Sequence, residues 1–182
     1  SRQFFRESVL GSNAPDAAVA GKTLFEDASI RLWTLDDEVI IASIKSKMHA
    51  IGEGVTAGLF KGLQMAETDY KGLVVWSPDA PFSAGADLQS MMPAFMSGGG
   101  KAIEPMEKAL QDFMLAVRYS NVPTVAAIHG MALGGGCELA VHCAKRVAHV
   151  ESYIGLVEVG VGLIPGAGGL AYLARRAAEQ VE

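Results

Sequence analysis

Two glutamates keep unusual company. Glu138 follows a triple glycine at once, in Gly134-Gly135-Gly136-Cys137-Glu138-Leu139-Ala140. Glu158 lies within Gly155-Leu156-Val157-Glu158-Val159-Gly160-Val161-Gly162. Burying an unpaired charge is costly. A carboxyl group in such apolar stretches raises its pKa instead, which suits a general acid or base. Blander readings stay open: Glu138 as an acid stabilised by a helix N-terminus, and Glu158 as an exposed loop residue.

Glycine is the loudest compositional signal, with 21 in 182 residues, or about 12% against a usual 7% or so. They cluster at 98–100, 134–136 and 166–169, and Gly85 stands alone in Phe82-Ser83-Ala84-Gly85-Ala86-Asp87. Three of these four sites directly precede helix-like runs. A glycine loop opening a helix leaves backbone N–H groups free to hold an anion or a developing oxyanion. It also permits tight turns and close packing, which needs no ligand at all.

Other chemistries fit less well. Gly21-Lys22-Thr23 ends like a Walker A loop, but Asp16 stands where the first glycine belongs. Gly166-Ala167-Gly168-Gly169-Leu170-Ala171 satisfies G-x-G-x-x-A. Pro165 interrupts the strand that a dinucleotide site needs before it, and the chain ends before the acidic residue it needs after. No G-x-S-x-G surrounds a serine. Cys137, His142 and Cys143 match no zinc spacing, and the two cysteines are expected to pack within a helix. His129 and His149 flank apolar strands and are expected to be structural.

These groups need a scaffold. Residues 30–35 and 39–44 read as a hairpin around Asp36-Asp37. Residues 53–68 place Val55, Leu59, Leu63 and Ala66 on one helical face. Leu73-Val74-Val75-Trp76 reads as a buried strand, 86–95 as a helix, and 98–100 as a break. Residues 104–119 form a helix with Met106, Leu110, Phe113 and Val117 on its stripe. A strand at 124–128, a glycine-rich loop, a helix at 135–144, a strand at 146–150 and a loop to Pro165 follow. Strands separated by helices join best as parallel neighbours, so the class is α/β. Residues 11–22 read as a linker, which divides the chain into 1–22 and a domain at 23–182.

Composition agrees with a folded domain: half the residues are apolar and 19% are charged. No apolar run reaches the roughly 18 residues of a membrane span. A net charge of −5 lacks the basic footprint of a nucleic-acid binder. Two cysteines make no disulfide framework, which fits a reducing compartment. The N-terminus has no signal-peptide pattern.

Four segments together resemble the enoyl-CoA hydratase/isomerase, or crotonase, family. They are Phe82-Ser83-Ala84-Gly85-Ala86-Asp87-Leu88, the run Ile128-His129-Gly130-Met131-Ala132-Leu133-Gly134-Gly135-Gly136-Cys137-Glu138, the Glu158 segment, and Leu163-Ile164-Pro165-Gly166-Ala167-Gly168-Gly169. The resemblance covers about residues 30–175. It implies a superhelix of strand–strand–helix turns that holds an acyl-CoA thioester, with the N–H groups of Ala86 and Gly135 binding the thioester oxygen. It matches Glu138 and Glu158 to the acids that flank the double bond in hydratases. Glu138 would take a proton from water and Glu158 would protonate C2. Ala84, Asp87, Leu88, Lys47 and Ala50 fall at substrate-binding positions. His49 stands near an expected asparagine. Hydration needs neither metal nor redox cofactor, and NAD would enter only through a fused dehydrogenase.

The resemblance also implies a homotrimer, built by helices that follow Gly169 and are mostly missing. With no initiator methionine and an uncapped last helix, the ends read as cuts from a longer, multifunctional β-oxidation enzyme. Such a protein would be cytoplasmic in a bacterium, or mitochondrial or peroxisomal in a eukaryote. Isomerase or hydrolase chemistry on the same fold, a non-catalytic CoA-binding fragment, and a nicotinamide-binding fragment are the alternatives.

Overall fold

The computed structural model describes residues 21–179. Strands β1 (Lys22–Glu26), β2 (Ile30–Thr34) and β3 (Ile40–Ile44) lead to helix α1 (Glu53–Asp69). Then come β4 (Leu73–Val75), α2 (Leu88–Gly98) and α3 (Gly100–Arg118). Next are β5 (Thr124–Ile128), β6 (Met131–Leu133) and α4 (Gly135–His142). Strands β7 (Lys145–Ala148) and β8 (Tyr153–Gly155), a short 3-10 helix (Glu158–Val161) and α5 (Gly169–Ala178) complete the order.

One sheet runs β1-β2-β3-β4-β5-β7. Strands β1, β2 and β3 pair antiparallel, and β3, β4, β5 and β7 pair parallel. A second, smaller layer lies beyond it. There β6 pairs parallel with β8, Ser83 bridges Ala132, and Ile51 bridges Ala86. The chain therefore repeats one course four times. A strand of the main sheet (β3, β4, β5 or β7) leads to an extended piece of the second layer (Ile51, residues 83–86, β6 or β8). A helix follows each time. This is the strand–strand–helix superhelix expected from the resemblance.

Periodicity explains the helices. Val55, Leu59, Leu63 and Ala66 of α1 are buried against Ile30, Leu32, Ile40 and Leu73 in one core. On α3, Leu110, Phe113 and Val117 are buried, while Met106 stays half-exposed. Trp33 is fully buried, and its indole N–H donates to Ser43 Oγ at 2.9 Å.

Several boundaries depart from expectation. Lys22, placed in the linker, is the first residue of β1 and pairs with Thr34; residues 11–20 of that linker, and residues 1–10 before it, lie outside the described residues. Strands β6 and β8 occupy stretches that read as loops, because three-residue strands carry no periodic signal. The 98–100 glycines do not form a loop: α2 runs to Gly98, α3 starts at Gly100, and the turn between them is Gly99 alone, at φ +62°. A left-handed backbone in one residue is what glycine supplies without a Cβ clash.

Candidate active site

The two expected N–H donors are freed in different ways. Gly135 is the first residue of α4, so its N–H has no partner within the helix. Ala86 lies two residues before α2, in extended backbone, and not at a helix start as expected. Ile51 N donates to Gly85 O at 2.8 Å and Asp87 N donates to Ile51 O at 3.0 Å. A parallel bridge of this kind uses the groups on either side of Ala86 and turns its own N–H the other way. Among the described residues, neither Ala86 N–H nor Gly135 N–H has a partner. They adjoin: a Cβ built on Gly135 would lie 3.4 Å from Ala86 N.

Glu138 sits in the first turn of α4 and is 2% exposed. Its Oε1 accepts from Ala167 N at 3.0 Å and Gly169 N at 2.9 Å. Burial pushes its pKa up, the Gly169 and Ala167 N–H groups pull it back, and Glu158 and Glu107 push it further up. The glycine loop at 166–169 thus does hold an anion at the start of a helix, and that anion is the protein's own carboxylate. Two of the loop's N–H groups, those of Ala167 and Gly169, are spent on Glu138 and are not open to a phosphate, which counts against the nicotinamide reading of Gly166-Ala167-Gly168. His142 closes the arrangement from below. Its Nδ1 lies 2.7 Å from Glu138 O, and its ring packs against Gly168.

Glu158 begins the short 3-10 helix after β8 and is half-buried. Its Oε2 is buried without a hydrogen-bond partner. Its Oε1 lies 3.2 Å from the point where a Cβ on Gly134 would be. An unpartnered buried carboxylate oxygen is costly unless something else meets it.

A cavity of about 630 Å³ takes in Ala86, Gly135, Glu138 and Glu158 together. Ala84 and Leu88 line it. A second cavity of about 670 Å³, between α1 and α3, shares Ala86, Met91, Glu107 and Leu110 with it. Three expected contacts fall outside both. Lys47 is exposed and Ala50 half-buried, and neither lines a cavity; Ile51 and Gly52 take that place. Asp87 caps α2, its Oδ1 accepting from Ser90 N at 3.1 Å. Short acids at this position satisfy orphan helix N–H groups, so Asp87 acts as a cap.

Glu107 was missed. It is half-buried on α3, lies against Gly166, and burial raises its pKa. The signal was its position three residues before Leu110, on the face that α3 turns inward. The cysteines are buried free thiols. Burial pushes Cys137 to about 11 and Cys143 to about 12, so neither is a reactive thiolate.

Comparison with known proteins gives the family of the chain. The enoyl-CoA hydratase/isomerase family model matches residues 38–181. A peroxisomal bifunctional enzyme of Cavia porcellus is 42% identical over 130 residues, which cover 70% of this chain and 17% of that protein. A Bacillus subtilis (strain 168) protein named "Probable 3-hydroxyacyl-CoA dehydrogenase" is 38% identical over 144 residues, 79% of this chain and 18% of that protein. The crystal structure of an enoyl-CoA hydratase from Bacillus anthracis superposes with a TM-score of 0.72 at 26% identity, covering 81% of this chain and 57% of that one. The chain spans under a fifth of the length of these two curated relatives. Its superhelical turns are those of the solved enoyl-CoA hydratases. By sequence and fold alike, the chain belongs to the enoyl-CoA hydratase/isomerase family.

Proposed function

We propose that this chain hydrates trans-2-enoyl-CoA thioesters to 3-hydroxyacyl-CoA. One observation carries the reading: two unpartnered N–H groups and two carboxylates, Glu138 and Glu158, open on one cavity. The N–H groups of Ala86 and Gly135 would donate to the thioester oxygen. They would stabilise the enolate-like charge that develops as water adds at C3. Glu138, one oxygen of which is tied to Ala167 and Gly169, would use the other to take a proton from that water. A base whose pKa is raised by burial is the stronger base. Glu158 would deliver the proton to C2, and its free Oε2 faces no competing donor.

We read the reaction as a step of fatty-acid oxidation that precedes dehydrogenation of the 3-hydroxyacyl product, a reading supported by the 3-hydroxyacyl-CoA dehydrogenase name of the Bacillus subtilis relative. A dehydrogenase domain carried on the same polypeptide would bring NAD. A homotrimer of this domain is the assembly the resemblance implies.

Crotonyl-CoA with the E138Q and E158Q variants tests the assignment. Each should lose about 100-fold or more in kcat, and the wild type should yield the 3-hydroxyacyl thioester. Near wild-type turnover in either variant would remove that residue from the mechanism. A shifted double bond with no added water would make the chain an isomerase.

A further inference from the structure

We infer that Ser83 is the positioning residue for both N–H donors of the site. The inference rests on the proposed roles of Ala86 and Gly135. Ser83 has no exposed surface and belongs to the motif Phe82-Ser83-Ala84-Gly85-Ala86, yet it touches no cavity. Its contacts reach three segments that are distant in sequence.

The main chain of Ser83 fixes it to β6. Ser83 N donates to Met131 O at 3.0 Å, and Leu133 N donates to Ser83 O at 3.0 Å. Leu133 is two residues before Gly135. The side chain ties the other donor. Ser83 Oγ donates to His49 O at 2.7 Å and accepts from Gly85 N at 3.1 Å. His49 is two residues before Ile51, whose N–H holds Gly85 O. The start of α4 is pressed onto the same residue: a Cβ on Gly136 would lie 2.7 Å from Ser83 Cβ and 2.9 Å from Ser83 O.

The consequence falls on one peptide plane. Gly85 O and Ala86 N belong to the same rigid peptide group. Gly85 itself stands at φ +102° and is the soft joint beside it. Ile51 holds that plane by its oxygen, and the Ser83 hydroxyl holds the nitrogen on the other side of the joint. Without the hydroxyl, Gly85 N and His49 O both lose their partner, and the direction of Ala86 N–H is set from one end only. The direction matters because an oxyanion donor is effective only when aimed at the place where charge develops.

The test uses the whole 182-residue chain with Ser83→Ala and Ser83→Cys. Three quantities are measured: kcat and KM on crotonyl-CoA, the melting temperature, and the absorbance red shift of a bound aryl-conjugated enoyl-CoA. The red shift reports polarisation of the thioester carbonyl. S83A should lose about 10- to 100-fold in kcat with KM changed less than about threefold. It should also lose most of the red shift. S83C keeps a weak donor and acceptor and should fall between S83A and wild type in both. Full red shift and turnover in S83A would overturn the inference. So would a loss that matches only the fraction of unfolded protein. Should S83A fail to fold, an unchanged red shift in S83C overturns the inference and a partial loss supports it. A wild type that shifts the probe but does not hydrate would remove the proposed reaction and leave the positioning role standing. A wild type that gives no shift would remove the donors and the inference with them.

Discussion

Glu138 is pulled in two directions, and its pH behaviour follows from the balance. Burial disfavours its charge, two backbone donors favour it, and the neighbouring carboxylates of Glu158 and Glu107 disfavour it again; the net direction is upward from 4.5. As a base it must be ionised, so the acid limb of kcat/KM should lie above the ordinary carboxylate range. Glu107→Gln removes a like charge and should move that limb to lower pH; a limb that stays or rises refutes the coupling. Stability carries the same sign. The folded chain binds this proton more tightly than the unfolded chain, so stability falls as pH rises from the usual carboxylate value through the folded one. E138Q escapes that loss, and its melting temperature should gain on wild type more at neutral pH than in acid. A second residue-scale prediction concerns Ala86. With no acceptor, its amide hydrogen should exchange much faster than those of Asp87 and Ile51, which are bonded. A bound thioester should slow it. Equal protection of Ala86 in the free protein would mean that its N–H is not available to a ligand.

At the scale of elements, the same residue type does opposite things in different places. Gly136 lies inside α4, where alanine is the better helix former by about 1 kcal/mol. Its missing Cβ is nonetheless required by Ser83 at 2.7 Å. Gly136→Ala should therefore cost about 1–3 kcal/mol by overpacking. Gly100, the first residue of α3, has nothing within 4 Å of that point. Gly100→Ala should be neutral or stabilise by about 0.4–1 kcal/mol. Urea unfolding of the two variants checks the pair, and equal effects would refute the packing argument. The helices were legible because α1 and α3 carry full apolar stripes, and Glu138 was legible because a carboxylate stood out in one apolar turn. The second layer was not legible. Its pieces are one to four residues long, and what defines them is pairing with residues tens of positions away, as in Ser83 with Ala132. For the same reason the freedom of Ala86 N–H was expected from the wrong cause. The cap formed by Asp87 was not legible because an N-cap and a ligand contact draw on the same short polar residues. Strand β1 escaped notice because Lys22, Thr23 and Glu26 face solvent at a sheet edge and leave little apolar pattern.

Across the whole molecule, the site is the place where successive turns of the superhelix end their second-layer pieces. Ile51, Ala86, Gly135 and Glu158 come from four turns, and parallel strands deliver their carboxyl ends to one side. That side is also unusually apolar at its rim. Val159, Val161 and Ile164 are 85%, 65% and 78% exposed. Val161 and Ile164 belong to the cavity wall as well, together with Val157 and Leu163. Clustered apolar surface of this kind on a folded domain marks a surface that meets a ligand or another chain. Two consequences can be measured on the chain itself. An environment-sensitive apolar dye should bind and fluoresce, and a saturating unreactive thioester such as butyryl-CoA should displace part of it, because the rim and the cavity share residues. Ile164→Lys should lower dye binding and weaken butyryl-CoA binding together, while Val159→Lys, which lies outside the cavity wall, should lower dye binding alone. If both substitutions reduce the dye signal and leave butyryl-CoA binding untouched, the rim plays no part in holding the acyl group. The cavity would then end at the glutamates.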